Sequence, residues 1–317
     1  LFMAKGNVPK MPNSSTVTEL LLTRFSDVWE LRVLHAMLLL LMYFATLVGN
    51  LLIVILITFD WKLHTPMYFF IRNLSILDMC YISVTVPKAC VIFLLDSTAI
   101  SMAGCAAQLF LVDIFVTVEL LFVTIMARDR YVAICQPLHY PVIMNPRVCV
   151  QMTLASVLSD LVHSIQTGNT FRLSFCQSNI VHQFFCDLSS LLKLSCTDTL
   201  NNEILIFISS VVIAGGCFIF IIMSYIHIFS TVLKFPTRKA FSTCVPHIVV
   251  LTIFVSSGAA VHVKPVSSSP TFQDTLSSVF YSIVPPFLNP IICSLRNKRL
   301  KEAVKRVMRR KLYSGKR

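Results

Sequence analysis

The chain has 317 residues, is 56% hydrophobic and only 13% charged, and its mean hydropathy is +0.76. That is too little charge to cover a soluble domain of this size, which excludes one. The formal net charge of +12 does not mark a nucleic-acid partner either, because much of it follows the last apolar run, between Arg296 and Arg317.

A helix needs roughly 20 mainly apolar residues to cross about 30 Å of hydrocarbon. Residues 1–32 precede the first such run and are expected to lie outside the cell. They lack the basic-then-apolar pattern of a cleavable signal peptide, and Asn13-Ser14-Ser15 makes Asn13 a glycosylation acceptor. Val33 to Phe59 carries no Asp, Glu, Lys or Arg and serves as first span and uncleaved anchor. Pro66 to Val86, Met102 to Ala127, Val148 to Phe171, Ile204 to Leu233, Ala240 to Val263 and Thr275 to Leu295 follow. The expected fold is therefore an all-α membrane protein, a seven-transmembrane helix bundle over residues 33–296. Residues 297–317 form a basic tail in which Leu300, Ala303, Val304, Val307 and Met308 recur at helical spacing. This predicts a short amphipathic helix on the inner membrane surface. Lys/Arg enrichment beside a span marks the cytoplasmic side and attracts anionic lipid. An odd number of spans then puts the N-terminus outside, in a multi-pass plasma-membrane protein whose first partner is the lipid bilayer.

The connection from Arg172 to Glu203 holds Cys176, Cys186 and Cys196, with Cys105 at the outer end of the third span. Cysteines on an oxidising face can pair. Four allow three connectivities, and the spacing does not choose among them. His182 is the loop's one histidine and no paired short Cys spacing occurs, so disulfides are preferred to a zinc site.

Ionisable residues within the hydrocarbon are costly and usually face the bundle interior. Asp78 and Glu119 are the leading pair, with Asn50 and Asn289 at comparable depth. Two carboxylates in one pocket repel unless a cation or proton joins them. They form either a sodium or proton site that holds the resting state, or a hydrogen-bond network between helices; composition weighs the two equally. Asp113, two turns in from Cys105, either meets a ligand from outside or is neutralised by His163 or Asp160 on one face of the fourth span. The pairing carries slightly more weight. No HExxH, GxSxG or Walker sequence occurs, so enzymatic chemistry has no support. No internal repeat favours a transporter, and no cofactor is expected beyond sodium as an allosteric ion.

Several stretches together resemble the olfactory receptors, a branch of the rhodopsin-like G-protein-coupled receptors. They are Gly49-Asn50; Leu63-His64-Thr65-Pro66-Met67-Tyr68-Phe69-Phe70; the run from Met126 through Asp129-Arg130-Tyr131 to Tyr140; Ser224-Tyr225; Lys239 to Cys244; and Pro286 to Ile292. The match runs from Met11 onward in the family's order, leaving residues 1–10 as an upstream extension. The resemblance implies that Arg130, beside Asp129, is restrained at rest and freed toward the G protein when the sixth helix swings out. It implies that Tyr225 turns inward and that Asn289-Pro290 permits a rearrangement in the last helix. It also implies a Cys105–Cys186 disulfide over the pocket, with Cys176–Cys196 as the second. The implied pocket draws on Val112, Asp113, Val116, Thr117, Ser209, Ile213, Val255, Ala259, His262 and Ser282, a largely apolar set suited to a small volatile odorant. The implied partner is a stimulatory olfactory-type heterotrimeric G protein that raises cAMP.

The departures are Arg128 where Tyr is usual, Cys293 where Tyr follows Asn-Pro-x-x, Pro246 for Ser, Asp160 in a normally small apolar stretch, and a short loop from Leu233 to Lys239. They keep open a signalling-impaired receptor. A same-fold receptor for a non-odorant ligand is the other alternative, and a transporter or channel has the least support.

Overall fold

The computed structural model describes residues 19–22, 28–95, 97–168, 180–181, 185–186, 191, 200–234, 252, 283–289, 300, 302 and 306. Five of its helices are long and apolar enough to cross a membrane. They are α1 (Trp29–Phe59), α2 (Pro66–Leu95), α3 (Met102–Cys135), α5 (Pro146–Gly168) and α6 (Leu200–Lys234), with a short α4 (Tyr140–Ile143) between the third and fourth. Residues 283–289 are also helical, as are Thr252, Leu300, Glu302 and Arg306.

Local chemistry explains the starts of these helices. α2 and α5 both begin on proline, whose missing N–H and fixed φ suit a first helical position. Before α5, Asn145 Oδ1 accepts from the backbone N–H of Val148 at 2.9 Å. Before α3, the Ser101 hydroxyl accepts from Gly104 N–H at 3.1 Å. Each side chain thus satisfies one orphan donor of its helix.

The helices outrun the expected apolar spans. α2 continues through Pro87 to Leu95. Proline removes one backbone donor there, and Gln108 Nε2 donates to the Val84 carbonyl at 3.0 Å just upstream. α3 continues past Ala127 through Asp129 and Arg130 to Cys135. Leaving hydrocarbon removes the need for apolar side chains but not the backbone's helical hydrogen bonding.

A small sheet was not legible in the sequence. β1 (Glu19–Leu22) lies between β2 (Ala99–Ser101) and β3 (Ile180–Val181). It pairs antiparallel with β2, Leu20 opposite Ile100, and parallel with β3, Leu21 opposite Ile180. Alternation turns Leu20 and Leu22 into a core shared with Ile92, Phe93, Cys105 and Cys186. A second core, around Phe70, Phe122 and Met126, joins α1, α2, α3 and α5 and also takes in Leu300. A third packs Ile221, Tyr225 and Ile228 of α6 on Val123 and Ala127 of α3. Outward faces of α1 and α6 are apolar, with Leu41, Val48, Val212 and Ile219 exposed. Water does not suit such a surface; lipid does.

Candidate functional site

At one end of the bundle Cys105, in the first turn of α3, is disulfide-bonded to Cys186. This is one of the three connectivities the sequence left open. Buried Gln108, one turn along α3, holds the same corner. Its Nε2 reaches α2, and its Oε1 accepts from Cys186 N–H at 3.0 Å. Gln108 carried no signal in the sequence, since an isolated amide reveals nothing of what folds over it.

Midway along the bundle, Asn289 draws two carboxylates together. Its Nδ2 donates to Asp78 Oδ1 at 3.2 Å, to Asp78 Oδ2 at 3.1 Å and to Glu119 Oε1 at 3.1 Å. Asn50 Nδ2 donates to the carbonyls of Thr46 at 3.2 Å and Pro286 at 3.3 Å. Its buried Oδ1 has no hydrogen-bond partner among the described residues. All four side chains are buried. One neutral amide cannot offset two carboxylate charges, so this donor set, with a spare amide oxygen, fits a small hard cation or a shared proton.

Of the pocket candidates, Val112 is buried on α3, while Asp113, Val116 and Thr117 are half-buried there, as are Ser209 and Ile213 on α6. The Asp113 carboxylate is engaged by α5. Ser164 Oγ donates to its Oδ2 at 3.2 Å, and His163 Nδ1 lies 3.4 Å from the same oxygen. Val255, Ala259, His262 and Ser282 lie outside the described residues, as do Asn13, Cys176, Cys196, Pro290 and Cys293.

At the opposite end, the Arg130 guanidinium bonds Asp129 Oδ2, through Nε at 3.0 Å and through Nη2. Asp129 is fully buried. Tyr140, from α4, donates its hydroxyl to the other carboxylate oxygen at 2.8 Å. Burial, and then the Asp129 charge and hydrogen bond, hold the Tyr140 phenol well above the ordinary tyrosine range. Tyr225 is buried on α6, facing α3, and the Tyr131 ring sits 5.9 Å from that of His227. A groove of about 510 Å³ opens beside this cluster, lined by Cys135, Gln136, Pro137, Leu138, His139 and Ile143. Arg128, which precedes Asp129 on α3, is exposed.

The chain is similar in fold to squid rhodopsin, whose crystal structure aligns with a TM-score of 0.67 and 19% identity over 90% of this chain and 88% of that one. The fold is accordingly the all-α seven-helix bundle. A family profile described as olfactory receptor matches residues 39–311. Olfactory receptor 14C36 of Homo sapiens is 62% identical over 309 residues, 96% of this chain and 99% of the relative. Olfactory receptor 14A16 of Homo sapiens is 47% identical over 307 residues, 95% of this chain and 99% of the relative. These are multi-pass membrane receptors and not enzymes. A matching profile over most of the chain, and such identity over nearly all of it, mean that the chain belongs to the olfactory receptor family.

Proposed function

We propose that this receptor binds small, mainly apolar volatile odorants between its helices and activates a stimulatory olfactory-type heterotrimeric G protein, raising cAMP. The observation that carries the reading is the 62% identity to an olfactory receptor over 96% of the chain. The Asp129–Arg130 pair supports the coupling half, since a buried carboxylate holding its neighbour's guanidinium can release it when the helices move. An odorant activates only by binding the active arrangement more tightly than the resting one. Val112, Val116, Thr117 and Ile213 supply apolar surface for it, and Asp113 and Ser209 polar anchors. In this reading the N-terminus is extracellular, and the tail from 297 is cytoplasmic at the plasma membrane.

The test is a cAMP reporter in cells supplying that G protein and a trafficking chaperone, screened with an odorant panel at quantified surface level. A dose-dependent response is expected, lost in Arg130→Ala. Silence at good surface level would reject the reading. The signalling-impaired alternative, favoured by exposed Arg128, then predicts a response on Arg128→Tyr with Cys293→Tyr.

The reading includes a sodium ion held by Asp78 and Glu119, with Asn50 and Asn289 in support, as a brake on activation. The Asn50 oxygen, unpartnered among the described residues, and two carboxyl groups sharing one amide favour it over a purely structural network. Glu119→Gln should raise basal cAMP severalfold and abolish any sodium-dependent rise in the melting temperature of purified receptor. No change in either at normal surface level would leave the cluster structural.

A further inference from the structure

We propose that Asp113, Asp160 and His163 form a binding site for a divalent transition-metal cation of the zinc type, clipping α3 to α5 within the membrane. Each residue offers one ligand atom, and the three atoms lie within 4.8 Å of one another. Ligands about 2.1 Å from a tetrahedral zinc ion stand roughly 3.4 Å apart. A small side-chain rotation therefore closes the site without moving a helix.

The case rests on Asp160. It is 0% exposed, and among the described residues neither carboxylate oxygen has a well-formed hydrogen bond, although the Thr117 hydroxyl lies nearby. A buried carboxylate left so is costly unless a cation or a proton meets it. No Lys or Arg lies in α3 between Met102 and Ala127, or in α5 between Val148 and Gly168. Neither stretch supplies a fixed cation of its own.

The surroundings are those of a supported site. Ligating histidines usually have their second ring nitrogen held by another group, which fixes the ring. Here His163 presents Nδ1 toward Asp113, while Nε2 lies 3.4 Å from Ser210 Oγ on α6. Asp113 is held by Ser164 Oγ. Side chains of α5 and α6 thus orient two of the three ligands.

Charge selects the class of ion. Two carboxylates and a neutral imidazole balance a divalent cation to zero, the least costly net charge to bury in hydrocarbon. A sodium ion would leave one negative charge, and an imidazole is a poor ligand for sodium, magnesium or calcium. Three protein ligands leave a fourth position for water or another ligand.

The experiment is thermal unfolding of the purified full-length receptor in detergent, titrated with Zn2+ alone. Zn2+ is expected to raise the melting temperature by several degrees, saturably. Asp160→Asn and His163→Gln should each abolish the rise, whereas Glu119→Gln should keep it. Should those variants fold poorly, one equivalent of Co2+ added to wild-type receptor should give visible absorption bands that Zn2+ displaces. An absent shift or band, or a shift equal in wild type and variants, overturns the proposal. So does stabilisation by acid but not by Zn2+, which would assign the pocket to a proton.

Discussion

Asp129 is shared between two donors, one oxygen for its neighbour Arg130 and the other for Tyr140 in the next short helix. Adjacency made the first partner visible in the sequence. The second depends on the path of the chain beyond Gln136, and no periodicity encodes that. A hydrogen bond to a charged group contributes about 1.5–3 kcal/mol, and about 1.4 kcal/mol is tenfold in an equilibrium. Asp129→Asn removes the charge that holds Arg130. Basal cAMP at matched surface level should therefore rise severalfold or more; an unchanged basal signal would mean that this pair does not restrain the receptor. Asp113 teaches a related lesson. Its partner His163 is legible as a candidate because helical spacing puts Asp160 and His163 on one face. Which of the two reaches Asp113, and how closely, depends on how α3 and α5 are rotated against each other.

Between elements, one contact ties the first connection to the tail. Asp60 precedes the 3₁₀ turn Trp61–Leu63, accepts from Lys62 N–H and is paired with Arg306. Burial pushes its carboxyl up, but the Arg306 hydrogen bond and charge, with the Lys62 N–H, outweigh that and hold it below the usual aspartate range. A carboxyl depressed in the folded state stabilises fully above its unfolded value, about 3.9, and loses that stabilisation as pH falls through the folded value. Arg306 is 43% exposed, so solvent screening limits the pair to about 1 kcal/mol or less. Asp60→Asn should lower the melting temperature by a few degrees at neutral pH, with the difference from wild type closing below about pH 4. A gap that persists in acid would assign the effect to packing. The tail's amphipathic pattern puts Leu300 on the apolar face of a helix at the membrane surface, and the structure packs it into the core around Phe70. Nothing in that pattern announced Asp60, 246 residues away from Arg306.

For the whole molecule, lipid and water divide a surface that is apolar in both settings. Val48 on α1 is 66% exposed and Leu138 beyond α3 is 90% exposed. Val48 lies within a membrane span, where lysine costs about 2.5–3.5 kcal/mol at the helix centre. Leu138 lies in the connection beside the groove, where a charge is solvated. Val48→Lys should therefore cut the surface-to-total ratio in flow cytometry severalfold, while Leu138→Lys leaves it near wild type. Equal ratios would mean that the exposed face of α1 is not lipid-facing.

Apolar runs of spanning length, the basic tail and the ordered motifs were sufficient by themselves to establish a seven-helix membrane receptor of the olfactory family. Burial in lipid constrains long contiguous stretches of chain, and such constraints are written locally. Cysteine spacing left the partner of Cys105 open, and the family resemblance implied the Cys186 that the structure pairs with it; tertiary structure alone threaded Glu19–Leu22 between two distant strands and set the Asn289 amide against both Asp78 and Glu119. Each of these joins residues far apart in the chain through a single bond or a few. A single bond leaves no period in the sequence, and its geometry exists only once the helices have packed.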